Sequence, residues 1–151
     1  MIEGHSWSDW LEVGDGDLDS DHHLQMRLVS ALLDDIEEGR PWLAHRLADH
    51  LRDASAVHFA SEEDRMRASD YPDRLAHGRE HDALIERLDE LVELVGGEDG
   101  AAAIAAAIDL RSTLANHIGT SDRRLAVHEA AVRDRTAIGG TATGPEQLPR
   151  A

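Results

Sequence analysis

The stretch HFASEED, residues 58–64, places a histidine and a glutamate four positions apart, with Phe59 beside the histidine. Positions i and i+4 lie about 40° apart around an α-helix, so His58 and Glu62 project from one face, one turn apart. A solvated helix face needs no histidine there. A single pair of this kind means little, and its significance depends on whether other segments bring matching side chains to the same place.

A second segment repeats this spacing. HGREH, residues 77–81, carries His77 and His81 on a helix face that they share with Leu84 and Leu88. Because those leucines are expected to be buried, the two imidazoles should also face the interior.

Two further segments offer side chains of the same kind. His117 is followed five residues later by Asp122, and the first helical segment offers either His22 or His23. Each of the four predicted helices thus carries at least one candidate metal ligand toward a common interior.

The composition favours a single all-α domain. A chain of 151 residues buries about two-thirds of its unfolded surface on folding, which is enough for a core. Only 3% of the residues are aromatic, so the core must consist mainly of Leu, Ala, Val and Ile. These residues, with few Gly or Pro inside the periodic segments, favour helix.

Apolar periodicity and capping signals divide the chain into helices. They predict helices from Asp19 or Ser20 to Gly39, from Pro41 to just before Tyr71, from about Asp73 to Val95 and from near Glu98 to His117, with a further piece beyond Gly119 to about Ala137. Four long amphipathic helices with short connections indicate an antiparallel up-down four-helix bundle.

The two ends of the chain lack this periodicity. Residues 1–18 are interpreted as an irregular N-terminal arm, with packing anchors at Trp7, Trp10, Leu11 and Val13. The tail, residues 138–151, contains turn formers and almost no apolar side chain, which predicts disorder. The bundle with its arm is therefore assigned to residues 1–137.

Charge and cysteine content exclude several classes of function. The formal charge is −16, and all fifteen basic residues are arginine. A field of this sign repels nucleic-acid phosphates and anionic lipid, so neither nucleic acid nor a membrane is an expected partner. The absence of cysteine excludes disulfides and thiolate metal sites, and leaves the redox compartment open.

No membrane segment is expected either. The N-terminus has no basic segment followed by an apolar run, and the longest apolar stretch, AAAIAAAI, is too short to span a bilayer. A cytoplasmic protein is the default expectation.

Chance explains part of the histidine pattern. A lone histidine on an apolar face is more often a hydrogen-bonded core residue than a ligand, so His5, His45, His50 and His128 are interpreted as surface or capping residues. Chance does not explain the two i, i+4 pairs together with the candidates on the other two helices. This set of side chains would bury five imidazoles and two carboxylates in a small core. A buried polar group without a partner costs about 1–3 kcal/mol, and a metal centre removes that cost by ligating these groups.

The motifs together carry a family resemblance. LDSDH, HFASEEDRM, YPDRLAHGREH and HIGTSD follow one another in an order that resembles the hemerythrin signature of a His, a His-x-x-x-Glu, a His-x-x-x-His and a His-x-x-x-x-Asp. The lead-in WSDWLEVGDGDLD resembles the N-terminal arm of that family. The match extends from Trp7 to Asp122, and its joint order is highly specific.

The resemblance implies a four-helix bundle with a non-haem di-iron site that binds dioxygen reversibly. It assigns His77, His81 and His117 to one iron and His22 and His58 to the other. Glu62 and Asp122 would bridge the two irons, together with an oxo or hydroxo bridge from solvent. The iron with only two histidines would keep a coordination position open for dioxygen.

Two details of the ligand set need local arguments. His22 is preferred over His23, because the preceding LDSD then aligns with the apolar-Asp-x-x-His pattern of the family. A step of five residues turns a side chain about 140° away on a regular helix, so a break near Gly119 must bring Asp122 round to the face of His117.

Two departures from the family bear on function. Gln25 stands where the family usually has leucine, and Thr113 where it usually has tryptophan. A more polar oxygen pocket is expected, which would admit water or anions and shorten the lifetime of an oxygenated form.

The leading hypothesis is a dioxygen-binding protein for supply, storage or sensing, without catalytic turnover. The alternative is an enzyme, a di-iron peroxidase or an iron oxidase with the same centre, for which Gln25 and Thr113 are the motivating features. The intact ligand set argues against a purely structural bundle, and its low carboxylate content argues against a ferritin-like oxygenase. Protein partners are left open.

Overall fold

The computed structural model describes residues 11–139, and its helices form an antiparallel four-helix bundle. In chain order these are α1 (Gly16–Glu37), α2 (Pro41–Ala68), α3 (Arg74–Gly96) and α4 (Gly100–His117), followed by a π-helical turn (Ile118–Asp122) and α5 (Arg123–Gly139). Each of the four long helices packs on the next along the chain, and α4 packs back on α1, which closes the bundle. The predicted all-α bundle is confirmed.

The first helix begins earlier than predicted. Asp15, not Asp19 or Ser20, is the N-cap of α1, and its side chain accepts hydrogen bonds from the backbone N–H groups of Asp17 and Leu18, each at 3.1 Å. Asp19 instead accepts a hydrogen bond from the backbone N–H of Val13 at 2.7 Å. Asp19, which the sequence predicted as a possible N-cap, thus holds the arm against the first turn of α1. The irregular arm ends at Asp15.

Leucine and alanine dominate the core, as their share of the sequence predicts. The largest side chains that are fully buried include seven leucines of the four long helices, Leu18, Leu32, Leu51, Leu88, Leu91, Leu110 and Leu114. Of the predicted anchors in the arm, Leu11 is buried and Val13 packs against the core, whereas Trp7 and Trp10 lie outside the described residues.

Some residues of the predicted apolar patterns are exposed. Trp42 and Leu75 are 66% and 69% exposed. Each stands two positions before an inward-facing residue, Ala44 and His77, and two residues turn a helix by about 200°. Both side chains therefore lie on the outer face, and the guanidinium of Arg46 covers the Trp42 ring at 5.1 Å.

Helix α5 continues past the bundle and is attached to the end of α2. His128 Nε2 lies 2.8 Å from the backbone carbonyl oxygen of Ser69 at the end of α2, which fits the second of the two predicted roles for this histidine, surface or capping. Leu125 is fully buried in a small cluster with Met66 and Tyr71. Residues 140–151, most of the predicted tail, lie outside the described part of the chain, so the domain boundary at residue 137 stays a prediction.

Within residues 11–139, no helix is both long and apolar enough to cross a bilayer.

Arg65 joins α5 and the start of α1 to the body of the bundle. Its Nη2 atom lies 2.7 Å from Asp15 Oδ2 and 2.9 Å from Glu129 Oε1. We expect Arg65→Met to lower the free energy of unfolding by about 1–2 kcal/mol, because two half-buried carboxylates lose their partner. Arg67→Met is the matched control, since the ion pair of Arg67 within residues 11–139 is with the exposed Asp64 in the same helix. Urea denaturation at equal metal content measures both, and equal losses would contradict this role of Arg65.

Candidate metal centre

Seven predicted ligands meet inside one end of the bundle. They are His22 on α1, His58 and Glu62 on α2, His77 and His81 on α3, His117 on α4 and Asp122 in the π-helical turn. None of them is more than 3% exposed. The structure therefore brings together every residue that the sequence analysis singled out for the site.

Helix periodicity explains how α2 and α3 contribute two ligands each. His58 and Glu62 lie one turn apart on the inner face of α2, and the Nε2 atom of His58 is 2.6 Å from Glu62 Oε1. His77 and His81 occupy the corresponding face of α3, with ring centroids 4.6 Å apart. The stretch HFASEED thus places a carboxylate and an imidazole at the centre of the site through helix geometry alone.

The π-helical turn brings Asp122 into the site. In a π-helix the backbone hydrogen bonds join residues i and i+5 rather than i and i+4, so one turn holds an additional residue. His117 and Asp122 consequently face the same way, and His117 Nε2 lies 3.0 Å from Asp122 Oδ1. The predicted break near Gly119 is confirmed.

The two oxygens of Glu62 face different groups of histidines. Oε1 lies 2.6 Å from His58 Nε2 and 3.8 Å from His22 Nε2. Oε2 lies 3.0 Å from His77 Nε2 and 3.1 Å from His81 Nε2.

Asp122 divides the histidines in nearly the same way. Its Oδ2 atom lies 2.9 Å from His22 Nε2, and its Oδ1 atom lies 3.0 Å from both His77 Nε2 and His117 Nε2. The site therefore consists of two histidine groups that share two carboxylates, one group with His22 and His58 and the other with His77, His81 and His117.

The polar atoms of this cluster fit a metal site. Within the described residues, several buried atoms lack a well-aligned hydrogen-bond partner despite their short separations: both ring nitrogens of His22, Nε2 of His58 and of His117, Oε1 of Glu62 and both carboxylate oxygens of Asp122. Buried polar atoms are almost always satisfied in folded proteins. Cations between the two carboxylates would satisfy most of these atoms at once.

Three outer carboxylates orient the imidazoles. Asp21 lies 2.8 Å from His58 Nδ1, and Glu80 lies 2.7 Å from His117 Nδ1. Glu63 lies 3.3 Å from His81 Nδ1. A carboxylate at Nδ1 fixes the ring and leaves Nε2 directed toward the interior, as in metal sites where the distant nitrogen is hydrogen-bonded.

These outer carboxylates were not predicted from the sequence. Asp21 and Glu63 are chain neighbours of His22 and Glu62, so a signal was present. However, each acts on a histidine of another helix, which only the packing of the helices reveals. Glu80 also accepts a hydrogen bond from the hydroxyl of Ser121 at 2.6 Å, which anchors the π-helical turn.

The electrostatics favour an ion-paired cluster in the metal-free protein. Burial on its own would lower the pKa of His22 and His77, but hydrogen bonds and charges from Asp122 and Glu62 outweigh it and raise both pKa values to about 9. Burial would raise the pKa of Glu62 and Asp122, but their histidine partners hold both far below the usual range. The carboxylates stay ionised, as metal ligation requires.

The structure separates the two histidines that compete for the α1 position. His22 is fully buried against Asp122, whereas His23 is half-buried and belongs to neither histidine group. This geometry favours the preferred choice of His22.

The two departures from the family differ in their placement. Gln25 is 1% exposed and donates a hydrogen bond from Nε2 to the hydroxyl oxygen of Ser55 at 3.0 Å. Thr113 is half-buried and donates its hydroxyl hydrogen to the carbonyl oxygen of Asp109, in its own helix. Thr113 lines an outer groove beside Glu80, so the expectation that it lines an inner pocket is wrong, whereas the same expectation for Gln25 stays a prediction.

The aromatic side chain of Phe59 packs against the histidines of the site. The ring of Phe59 stacks on His81 with centroids 4.3 Å apart and planes 13° apart. Phe59 and Ile118, the chain neighbours of His58 and His117, are both buried.

Comparison with known proteins identifies relatives. The family described as Hemerythrin HHE cation binding domain matches residues 14–127. A protein named Bacteriohemerythrin from Ralstonia nicotianae (strain ATCC BAA-1114 / GMI1000) is 28% identical over 119 residues, which cover 79% of this chain and 84% of that protein. No solved structure matches the chain significantly.

Substitutions should separate ligands from other histidines. We expect His58→Ala and His77→Ala to weaken metal binding by more than about 100-fold, because changes in outer partners alone cost about 10–100-fold. His45→Ala should leave it unchanged, since His45 is half-exposed beside Asp49. Metal content per chain after growth in iron-replete medium gives the comparison. Loss of metal on changing His45, or in His23→Ala rather than His22→Ala, would contradict the proposed ligand set.

The raised pKa values predict how the metal-free protein responds to pH. His22 and His77 have pKa values of about 9 in the folded protein, against 6.5 ordinarily. The stability they contribute is therefore fully present below about pH 6.5 and lost as the pH rises through about 9. We expect the unfolding temperature of chelator-treated protein to decrease as the pH is raised from about 6.5 to about 9. The metal-loaded protein, whose imidazoles are bound as neutral ligands, should show a much smaller decline, and equal slopes would contradict this account.

Proposed function

Because this chain belongs to the hemerythrin family, we propose that its buried cluster holds two non-haem iron ions and binds dioxygen reversibly. The observation that carries this proposal is the sharing of Glu62 and Asp122 between two histidine groups. A single ion needs no pair of carboxylates whose oxygens point in different directions. Two adjacent ions do.

The proposed ligand assignment follows the two groups. His77, His81 and His117 would hold one iron, and His22 and His58 would hold the other. Glu62 and Asp122 would each offer one carboxylate oxygen to either iron. The combination of imidazole and carboxylate suits iron, and the absence of cysteine in the sequence agrees with a site that uses no thiolate.

When bound, a pair of ferrous ions supplies two electrons that dioxygen can take up and return. The side chains of this chain supply the conditions for that exchange. All seven side chains are at most 3% exposed, so little of their surface contacts bulk water. The carboxylates of Asp21, Glu63 and Glu80 hold three imidazoles in one orientation, so little reorganisation accompanies a change of charge at the site.

The two sides of the site are proposed to have different roles. The side with His77, His81 and His117 has a full set of protein ligands, whereas the side with His22 and His58 has one imidazole fewer. An open coordination position therefore belongs on the His22 and His58 side, where dioxygen would bind. Oxygen supply, storage or sensing are the roles that such a site serves. A cytoplasmic location without nucleic-acid or membrane partners remains a prediction from charge and composition.

A second candidate is a peroxidase or iron oxidase with the same centre. The buried amide of Gln25 beside Ser55 favours this candidate. A polar lining next to a metal site accommodates a protic substrate better than it accommodates dioxygen. The two candidates differ in turnover: an oxygen-binding protein returns its ligand unchanged, whereas an enzyme consumes hydrogen peroxide or free ferrous ion continuously.

We expect two iron atoms per chain and a reversible optical change with dioxygen. Metal analysis of protein from iron-replete cells tests the first point, and one iron per chain, or zinc with iron available, would contradict it. The optical spectrum of anaerobically reduced protein, recorded before air, after air and after removal of oxygen, tests the second. Return of the reduced spectrum supports oxygen binding. A permanent diferric spectrum with sustained peroxide consumption supports the enzyme instead.

A further inference from the structure

The two hydroxyl side chains of the π-helical turn bond in different directions. Thr120 donates to the backbone carbonyl oxygen of Asn116, four residues earlier, at 2.7 Å. Short hydroxyl side chains within helices commonly bond in this way. Ser121, which is only 2% exposed, instead donates to Glu80 Oε2 on α3 at 2.6 Å. The hydroxyl of Ser121 therefore joins the turn to another helix, which that of Thr120 does not.

The same oxygen of Glu80 also accepts a hydrogen bond from His117. His117 Nδ1 lies 2.7 Å from Glu80 Oε2. His117 directly precedes the π-helical turn, and Ser121 is the fourth of its five residues. A single carboxylate oxygen is thus bonded to both ends of the turn.

Arg124, at the start of α5, directs the hydroxyl hydrogen of Ser121 toward Glu80. Its Nη2 atom lies 3.3 Å from Ser121 Oγ. A guanidinium can only donate, so the oxygen of Ser121 accepts this bond and its hydrogen stays available for the carboxylate. Hydrogen bonds from a hydroxyl to a carboxylate are short and about twice as strong as those between neutral groups.

These contacts form a closed ring around the turn. From Glu80 the ring passes through the imidazole of His117, whose Nε2 atom lies 3.0 Å from Asp122 Oδ1. It continues along the backbone from Asp122 to Ser121 and returns through the Ser121 hydroxyl to Glu80. Asp122 is therefore held from two directions, by a histidine inside the bundle and by its chain neighbour, which is bonded to α3.

The bond from Ser121 to α3 favours the π-helical form of the turn over a regular helix. In the π-helical form the backbone N–H of Arg123 bonds to the carbonyl oxygen of Ile118, five residues earlier. In a regular α-helix Ser121, four residues after His117, would take the inward face, and Asp122 would lie about 140° away from it. The observed bond to Glu80 needs Ser121 on the outer side, so it stabilises the form in which Asp122 faces the histidines.

We propose that Ser121 is a positioning residue for Asp122. Through Glu80, its hydroxyl holds the π-helical turn against α3 and keeps the carboxylate of Asp122 between the two histidine groups. This inference rests on the proposed function only for the role of Asp122 as a ligand shared by two ions. The hydrogen bonds and the turn are features of the chain itself.

The first test uses the metal-free protein. Amide hydrogen exchange is measured by NMR after chelator treatment for the native protein, Ser121→Ala and Thr120→Ala. We expect the Arg123 amide, which is bonded across the turn, to exchange about tenfold faster in Ser121→Ala, the equivalent of one hydrogen bond to a charged group. Thr120→Ala is the matched control and should exchange like the native protein, because it removes a hydroxyl that is bonded within its own helix.

Three outcomes of this measurement would overturn the proposal. One is unchanged exchange of the Arg123 amide in Ser121→Ala, and another is an equal acceleration in Thr120→Ala. The third is an equal acceleration of the amides of α1 in Ser121→Ala, which would mean a general loss of stability rather than opening of the turn.

The second test determines whether Ser121 acts through Asp122. Anaerobic titration with ferrous ion gives the affinities of the native protein, Ser121→Ala, Asp122→Ala and the double variant. We expect Ser121→Ala to weaken binding about tenfold when Asp122 is present and to have no further effect in the Asp122→Ala background. A tenfold loss in both backgrounds would mean that Ser121 supports the site by another route, and would overturn the proposal.

The two tests separate this inference from the proposed function. A native protein that binds a single ferrous ion would contradict the proposed function, and hydrogen exchange at Arg123 would then decide the role of Ser121 alone. The same measurement decides if Asp122→Ala binds no ferrous ion, because it requires no metal.

Discussion

Two buried carboxylates surrounded by imidazoles are the interaction on which the rest of this structure depends. Glu62 and Asp122 are almost fully buried, and five histidines from four helices lie within 4 Å of one or both of them. Removing such charges from water is costly unless opposite charges or metal ions are close. Each helix of the bundle must therefore bring its imidazole to the same point, and this requirement defines the register in which the four helices pack.

A second layer of carboxylates makes the centre rigid. Asp21, Glu63 and Glu80 lie on the solvent side of the imidazoles, where part of the acidic surface of the protein is used to hold ring orientations. The large negative charge, which in the sequence indicates only a solvated surface, thus has a specific use around the site. The same carboxylates increase the negative potential at the end of the bundle where cations would enter.

The sequence was sufficient to predict the bundle, the seven side chains that meet inside it and the irregularity before Asp122, because helix periodicity and the order of a few motifs indicate them. Some details that it could not predict depend on contacts between helices, and others on local competition for hydrogen bonds. The pairing of Asp21 with His58 spans 37 positions, and no local pattern encodes it. Asp15 rather than Asp19 is the N-cap, and Asp19 instead accepts a local hydrogen bond from the backbone N–H of Val13, six residues earlier. Thr113 turned out to bond within its own helix because a short hydroxyl side chain competes for nearby carbonyl groups.

The π-helical turn has a consequence for how this protein can change. It contains one residue more than a regular turn, so deletion of a single residue between Ile118 and Asp122 would restore a continuous α-helix. Every residue after it would then rotate by about 100° and shift by about 1.5 Å. Asp122 would leave the histidines, and in the same step Leu125 and Glu129 would lose their places against α2. The position of Asp122 and the packing of α5 on α2 therefore both depend on the π-helical turn. A homologue that loses this turn would lose both features in one step.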